Sequence, residues 1–193
     1  MYRVSIISSS IRNGRKSHNV AQYLQKYMTE NKLATAEILD LKSYNFPVFD
    51  ERLQFQEKPT AGTLEFAEKI KTSDGIIIVT PEYNGGFPAS LKNAIDLLCA
   101  EWENKPIGIS TVSEGGYEGS QALIFLQFVL WKIKAYTIST TFPIVKAHEK
   151  FDELGNAVHK IETDKLASAF VKELLWSIKL IKKESYPSDV ICF

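Results

Sequence analysis

Apolar residues are distributed along this chain in two alternating ways. Short runs rich in Ile and Val recur, and between them lie longer stretches whose apolar residues return every three to four positions. The first pattern reads as buried strand and the second as helix with one apolar face. Arg3-Val4-Ser5-Ile6-Ile7-Ser8 is the first strand. Val20, Tyr23, Leu24, Tyr27 and Met28 mark the helix after it, which starts near Ser17 to Asn19. Asn19 with Gln22 three residues on has the form of a capping box. Ala36 to Leu41 is a second short strand. A long connection from Lys42 to about Pro59 carries Tyr44, Phe46, Pro47, Phe49 and Phe55, and Leu64, Phe66, Ala67 and Ile70 mark a second helix.

The run Gly75-Ile76-Ile77-Ile78-Val79-Thr80 is almost wholly apolar, as in a parallel strand covered on both faces. A turn with two glycines follows it and opens a helix whose Ala89, Leu91, Ala94, Ile95, Leu97 and Leu98 share one broad face. Pro88 suits the first helical position, where its missing N–H costs nothing. Lys105 to Val112 is a fourth strand, and a glycine-rich turn from Ser113 to Gly119 leads into a helix from about Ser120 to Lys132. Tyr136 to Thr140, joined by Ile144-Val145, forms a fifth, short strand region. Thr163 or Asp164 caps a last helix running through Leu166, Phe170, Leu174, Ile178 and Ile181. Strands alternating with helices predict an α/β fold whose parallel sheet is wound on both sides by right-handed crossovers. One domain over 1–183 is expected, with 184–193 as a loose or partner-docked tail.

Bulk properties narrow the classes. Hydrophobic residues make up 45% of 193, enough for a core, and 23 basic residues balance 23 acidic ones. That balance argues against nucleic acid or a polybasic membrane patch. Cys99 and Cys192 look unlike a disulfide framework, and His18, His148 and His159 are too scattered to suggest a metal centre. No apolar run approaches the ~20 residues that span a bilayer, and Met1 leads straight into a strand without a signal peptide. The expectation is a soluble cytoplasmic protein.

Chemistry belongs where the loops after strands one, three and four converge, because open α/β sheets bind ligands at the carboxyl ends of their strands. The first loop, Ser8 to Asn19, joins hydroxyls and guanidinium groups just before a helix N-terminus, which suits a phosphate. It lacks both the dinucleotide and the P-loop glycine patterns. A solvated polar turn is the alternative for it. The second, Pro81 to Gly86, offers backbone amides beside an aromatic ring, which suits a flat heteroaromatic. The third, Ser113 to Gly119, lets a ligand approach the main chain at Gly115, Gly116 and Gly119. For both of these a plain strand-to-helix turn is the alternative.

At these residues the sequence resembles the NAD(P)H-dependent FMN reductase family, the flavodoxin-like group that includes quinone, azo-dye and chromate reductases. Pro81-Glu82-Tyr83-Asn84-Gly85, followed by Pro88, Leu91-Lys92-Asn93 and Ile95-Asp96, is the specific signature. Ser9, Ser10, Arg12, Ser17 and Asn19 resemble the family's phosphate loop, with Ser9 in place of the usual Gly and a longer segment before Ser17. Leu41 to Glu51 is similar to its loop after strand two, and Ser113, Gly115, Gly116 and Gly119 to its Ser…Gly-Gly turn.

The resemblance implies a flavodoxin-like three-layer sandwich with five parallel strands in the order 2-1-3-4-5. It implies that Ser10, Arg12, Ser17 and Asn19 hold the FMN phosphate. Pro81, Glu82, Tyr83, Asn84 and Gly85 would contact the isoalloxazine and ribityl chain, while Ser113, Gly115 and Gly116 close the ring's other side. It further implies ping-pong hydride transfer from NADPH or NADH to FMN, then two electrons to a quinone, flavin, azo compound or similar small acceptor. The flavin N5 would do the chemistry, so no catalytic side chain and no metal are demanded. Arg15 and Lys16 are open between phosphate, NADPH and solvent. The family's region around Tyr44, Phe46, Phe49 and Phe55 helps build a homodimer, so a dimer or tetramer is expected. Trp131 and Trp176 fall among helical apolar positions and read as core, whereas Trp102 suits either core edge or subunit interface. An electron-carrier flavodoxin is the first competitor, opposed by Arg12 and zero net charge. A redox-sensing FMN protein read by a partner is the second.

Overall fold

Ile6 and Ile7 are neighbours in the first strand, yet they belong to different cores. Successive strand side chains point to opposite faces, so a strand that is apolar at both parities needs cover on both sides. The computed structural model describes residues 1–183, and the expected tail at 184–193 lies outside them. Strand β1 (Arg3–Ser8) lies between β2 (Thr35–Asp40) and β3 (Gly75–Pro81), and β4 (Pro106–Ser113) follows β3, every pairing parallel. The fifth strand is broken into β5 (Tyr136–Thr137) and β6 (Ile144–Val145), each paired with β4. The order is β2-β1-β3-β4-β5, as expected apart from this split.

One core joins Ile6, Ile77 and Val79 to helices α1 (Ser17–Glu30) and α7 (Lys160–Lys183), with Phe142 stacked on Phe170 of α7. The other joins Ile7, Ile76 and Ile78 to α3 (Ala61–Thr72), α4 (Ala89–Asp96) and α5 (Ser120–Lys132). The result is three layers.

Several local expectations need correcting. Helix α1 starts at Ser17, and no side chain caps it at Lys16. Asn19 lies inside the helix with its amide donated to the Asp152 carbonyl (2.9 Å), so no capping box forms. Pro88 precedes the first turn of α4 rather than occupying it. Helix α7 starts at Lys160, which puts Thr163 a turn inside, where its hydroxyl donates to the His159 carbonyl. A short helix α2 (Leu41–Tyr44), started by the Asp40 carboxylate accepting from Lys42 N (3.0 Å), was not foreseen; nor was α6 (Ala147–Lys150).

Trp131 and Trp176 are 66% and 60% exposed rather than core. In α5 the sequence is apolar nearly all round, so spacing alone does not show which face turns inward. Trp102 is wholly buried against Phe66 and donates to the Ile95 carbonyl. Tyr44 and Phe46 stack on each other and meet Phe66 edge-on. Cys99 is disulfide-bonded, against expectation, and Cys192 lies outside the described residues.

Candidate active site at the carboxyl edge of the sheet

The loops after β1, β3 and β4 meet at one edge of the sheet, and named bonds join them. Past the end of β1, Ser9 N still donates to the Val79 carbonyl (3.1 Å), so the strand pairing runs on into the loop. Ser10 Oγ meets the Tyr83 hydroxyl at 2.8 Å, and Ser90 Oγ in the first turn of α4 donates to the Ser9 carbonyl at 2.6 Å. The first two loops are therefore fastened together by side chains of the second loop and its helix.

Ser9, Ser10 and Ser17 are all buried. The hydroxyls of Ser9 and Ser17 have no hydrogen-bond partner among the described residues. A buried hydroxyl left alone costs about 1–3 kcal/mol, so Ser17 at the start of one helix and Ser9 in the loop before it favour a polar ligand. That helix, α1, is 14 residues long and has no side-chain cap. Its first amides and its dipole favour an anion there.

The basic residues of this loop divide. Arg12 is exposed and makes no ion pair among the described residues, while Lys16 pairs with Glu153. Arg15 forms a two-pronged pair with Asp40 and also donates to the Ser10 carbonyl, each contact 2.5 Å. Burial pushes the Asp40 carboxyl up, but the Arg15 and Lys42 hydrogen bonds and the Arg15 and His18 charges hold it below its ordinary value. His18, whose Nδ1 meets Ser8 Oγ at 3.0 Å, is held below the usual imidazole range by burial and by Arg15.

In the second loop, Tyr83 and Gly86 exchange both backbone bonds (2.7 and 3.0 Å) around Asn84 (φ 51°) and Gly85 (φ 77°). Two positive φ values in an Asn-Gly pair are the pattern of a type I′ turn. The Asn84 and Gly85 amides make no hydrogen bond among the described residues. Pro81 ends β3, and Glu82 N donates to the Val112 carbonyl. The Glu82 carboxylate accepts from Ala122 N (3.1 Å) in the first turn of α5. That bond ties the second loop to the helix that the third loop opens.

The third loop is held at both ends. Ser113 Oγ donates to the Gly115 carbonyl (3.1 Å), and the Ser113 carbonyl accepts from Lys146 N (2.8 Å). Thr111 Oγ1 donates to the Glu118 carbonyl (2.6 Å). Gly115 and Gly116 are exposed, with open space where a Cβ would stand. Sequence reasoning pointed to these loops but missed Asp40, His18, Ser90 and the Glu82 bridge. All are contacts between segments that no local spacing announces.

An open parallel sheet in the order β2-β1-β3-β4-β5, with an uncapped helix start, a tight amide-bearing turn and a glycine-bearing loop on one edge, is a flavodoxin-like fold. The family model for NADPH-dependent FMN reductase matches residues 2–149, and the chain belongs to this family of oxidoreductases, which work with FMN and take electrons from NAD(P)H. The NAD(P)H-dependent FMN reductase of Saccharomyces cerevisiae is 34% identical over 150 residues, covering 70% of this chain and 77% of the relative. A quinone reductase of Pseudomonas putida is 30% identical over 194 residues, covering 93% and 96%. Among solved structures, the flavoenzyme NAD(P)H:(acceptor) oxidoreductase FerB of Paracoccus denitrificans has the same fold. Its TM-score is 0.77 at 23% identity, covering 93% of this chain and 98% of that one. Among the described residues no helix is long and apolar enough to cross a membrane.

Proposed function

We propose that this chain reduces quinones or related small two-electron acceptors, with FMN seated across the three loops. The unpartnered buried hydroxyl of Ser17 at the uncapped start of α1, with that of Ser9 in the loop before it, carries this reading. Ser10, Ser17 and the first amides of α1 hold the phosphate, with Arg12 as the counter-charge. Asn19 steadies the same turn through Asp152. Pro81 to Gly85 face the ring and ribityl chain, with Glu82 keeping the turn in place from behind and the Asn84 and Gly85 amides left to donate to the ring's polar edge. Such donors favour negative charge developing there. Ser113, Gly115 and Gly116 border the other side, where the absence of side chains leaves room for a second flat molecule. When bound, FMN supplies the two-electron hydride chemistry, received from NADPH or NADH and passed in a separate half-reaction to the acceptor.

Self-association belongs to the same reading. Ile124, Phe125, Phe128 and Trp131 lie at helical spacing on one face of α5, each 59% or more exposed. A stripe of that size is a cost in water unless covered, and α5 begins where the third loop ends. A second copy packed there would stand beside the flavin face. Cytoplasmic residence fits this assignment.

Anaerobic addition of NADPH, then NADH, to FMN-loaded protein tests the function. Bleaching of the visible flavin band, reversed by benzoquinone, is the expected outcome. FMN binding without bleaching by either donor would overturn the reductase reading in favour of a carrier or sensor.

A further inference from the structure

Arg15 and Asp40 form a two-pronged charged pair beside the site. Their side chains are 12% and 18% exposed. Asp40 ends β2 directly opposite Ser8, the last residue of β1. Both carboxylate oxygens are taken by the Arg15 fork, and Oδ1 also accepts from Lys42 N. The guanidinium nitrogen shared with Oδ1 also donates to the Ser10 carbonyl. A parallel tie runs from Lys42 Nζ to Asn13 Oδ1 (2.9 Å). The loop between β1 and α1 is thus braced against the end of the neighbouring strand at the residue whose hydroxyl touches Tyr83.

We infer that Arg15 is a positioning residue: with Asp40 it fixes the Ser9–Ser10 backbone and so shapes the phosphate cradle, without touching the phosphate. Charge agrees with geometry. Asp40 neutralises Arg15, so the positive charge free to meet an anion in this loop is that of Arg12. An Arg fork on a carboxylate holds direction as well as distance, which suits bracing. This inference rests on the FMN reading above.

The two roles for Arg15 predict opposite signs at Asp40. If Asp40 is half of a brace, its loss disorders the loop and weakens phosphate binding. If Asp40 merely holds back a phosphate-binding arginine, its loss frees Arg15 and removes a repelling carboxylate, so binding tightens. Apoprotein is titrated with FMN and, separately, with riboflavin, which lacks the phosphate, following quenching of flavin fluorescence.

For Asp40→Asn the FMN dissociation constant is expected to rise on the order of tenfold, the scale of a lost charged hydrogen bond. That for riboflavin should change much less. Arg15→Lys should match it, because one ammonium cannot bridge Asp40 and the Ser10 carbonyl as the fork does. Arg15→Ala combined with Asp40→Ala should be no worse than either alone, the mark of residues acting as a unit. Unchanged or tighter FMN binding in Asp40→Asn, or full retention in Arg15→Lys, overturns the inference. Failure of the unaltered protein to bind FMN overturns the FMN reading instead. Should Asp40→Asn not fold, Arg15→Lys decides alone.

Discussion

Two glycines of the third loop make a sharp pair of tests, because the structure assigns them different reasons for being glycine. Gly119 has φ +73°, and a Cβ there would stand 2.8 Å from Thr111 Cβ and 3.2 Å from its Oγ1. Thr111 is 1% exposed and bonded to the Glu118 carbonyl, so it cannot swing clear. The left-handed backbone costs an alanine about 1–2 kcal/mol, and the added methyl another ~1–3 kcal/mol of crowding. Gly119→Ala should lose roughly 2–5 kcal/mol. At about 2–4 °C per kcal/mol for a domain of this size, Tm falls on the order of 10 °C. Gly116 has open space and no positive φ. Gly116→Ala should therefore melt within ~2 °C of the original, yet bind FMN more weakly if the ring lies against it. Thermal melts of apoprotein by circular dichroism and FMN titration by fluorescence separate the two effects. Equal melting losses in both variants, or an unshifted Gly119→Ala, would refute the reasoning.

Further outcomes follow from the same contacts. Glu82→Ala removes the bond that ties the second loop to Ala122 N and should lower stability by about 1–2 kcal/mol, whereas Glu82→Gln keeps a hydrogen-bonding oxygen and should lose less than half of that in urea melts. Asp40 is held below its ordinary 3.8, so its contribution is complete above that value and disappears as pH falls through the lower folded one. Melts of the original and of Asp40→Asn should differ at neutral pH and converge in acid; a constant gap would contradict the assigned pairing. Phe128→Glu on α5 should sediment as monomer while the original sediments as dimer or larger, with helix content unchanged; a monomeric original removes the proposed interface.

The layer order could be read from the chain because Ile76, Ile77 and Ile78 have no polar face, which in a chain of alternating strands and helices leaves a central parallel strand. A parallel sheet places all its strand ends on one edge, and the order implied by the family resemblance makes β1, β3 and β4 neighbours there, so the neighbourhood of Ser10, Tyr83 and Gly115 followed without a contact in view. The contacts themselves did not. Ser10 and Tyr83 stand 73 residues apart, and nothing beside either residue announces the other. Arg15 stays open between phosphate, NADPH and solvent in the sequence because its partner Asp40 lies at the end of another strand. Trp131 was misplaced because α5 is apolar on every side, which removes the contrast that orients a helix. Asn19 has the composition of a cap, but the helix begins two residues earlier and its amide is drawn to the Asp152 loop.

The break between β5 and β6 has a consequence for how copies of this chain can meet. An exposed edge strand is a template onto which a foreign strand can add, the route to fibrils. Among the described residues the sheet ends beyond β4 in two fragments of two residues each, and between them only Ile138 N and Phe142 N donate to β4 carbonyls, those of Ile107 and Ile109. At the opposite border, the Ala36 carbonyl of β2 is occupied by the Gln25 amide, and Glu37 is held by Lys69. The broken border is thus a poor template for an added strand, and the other is partly covered.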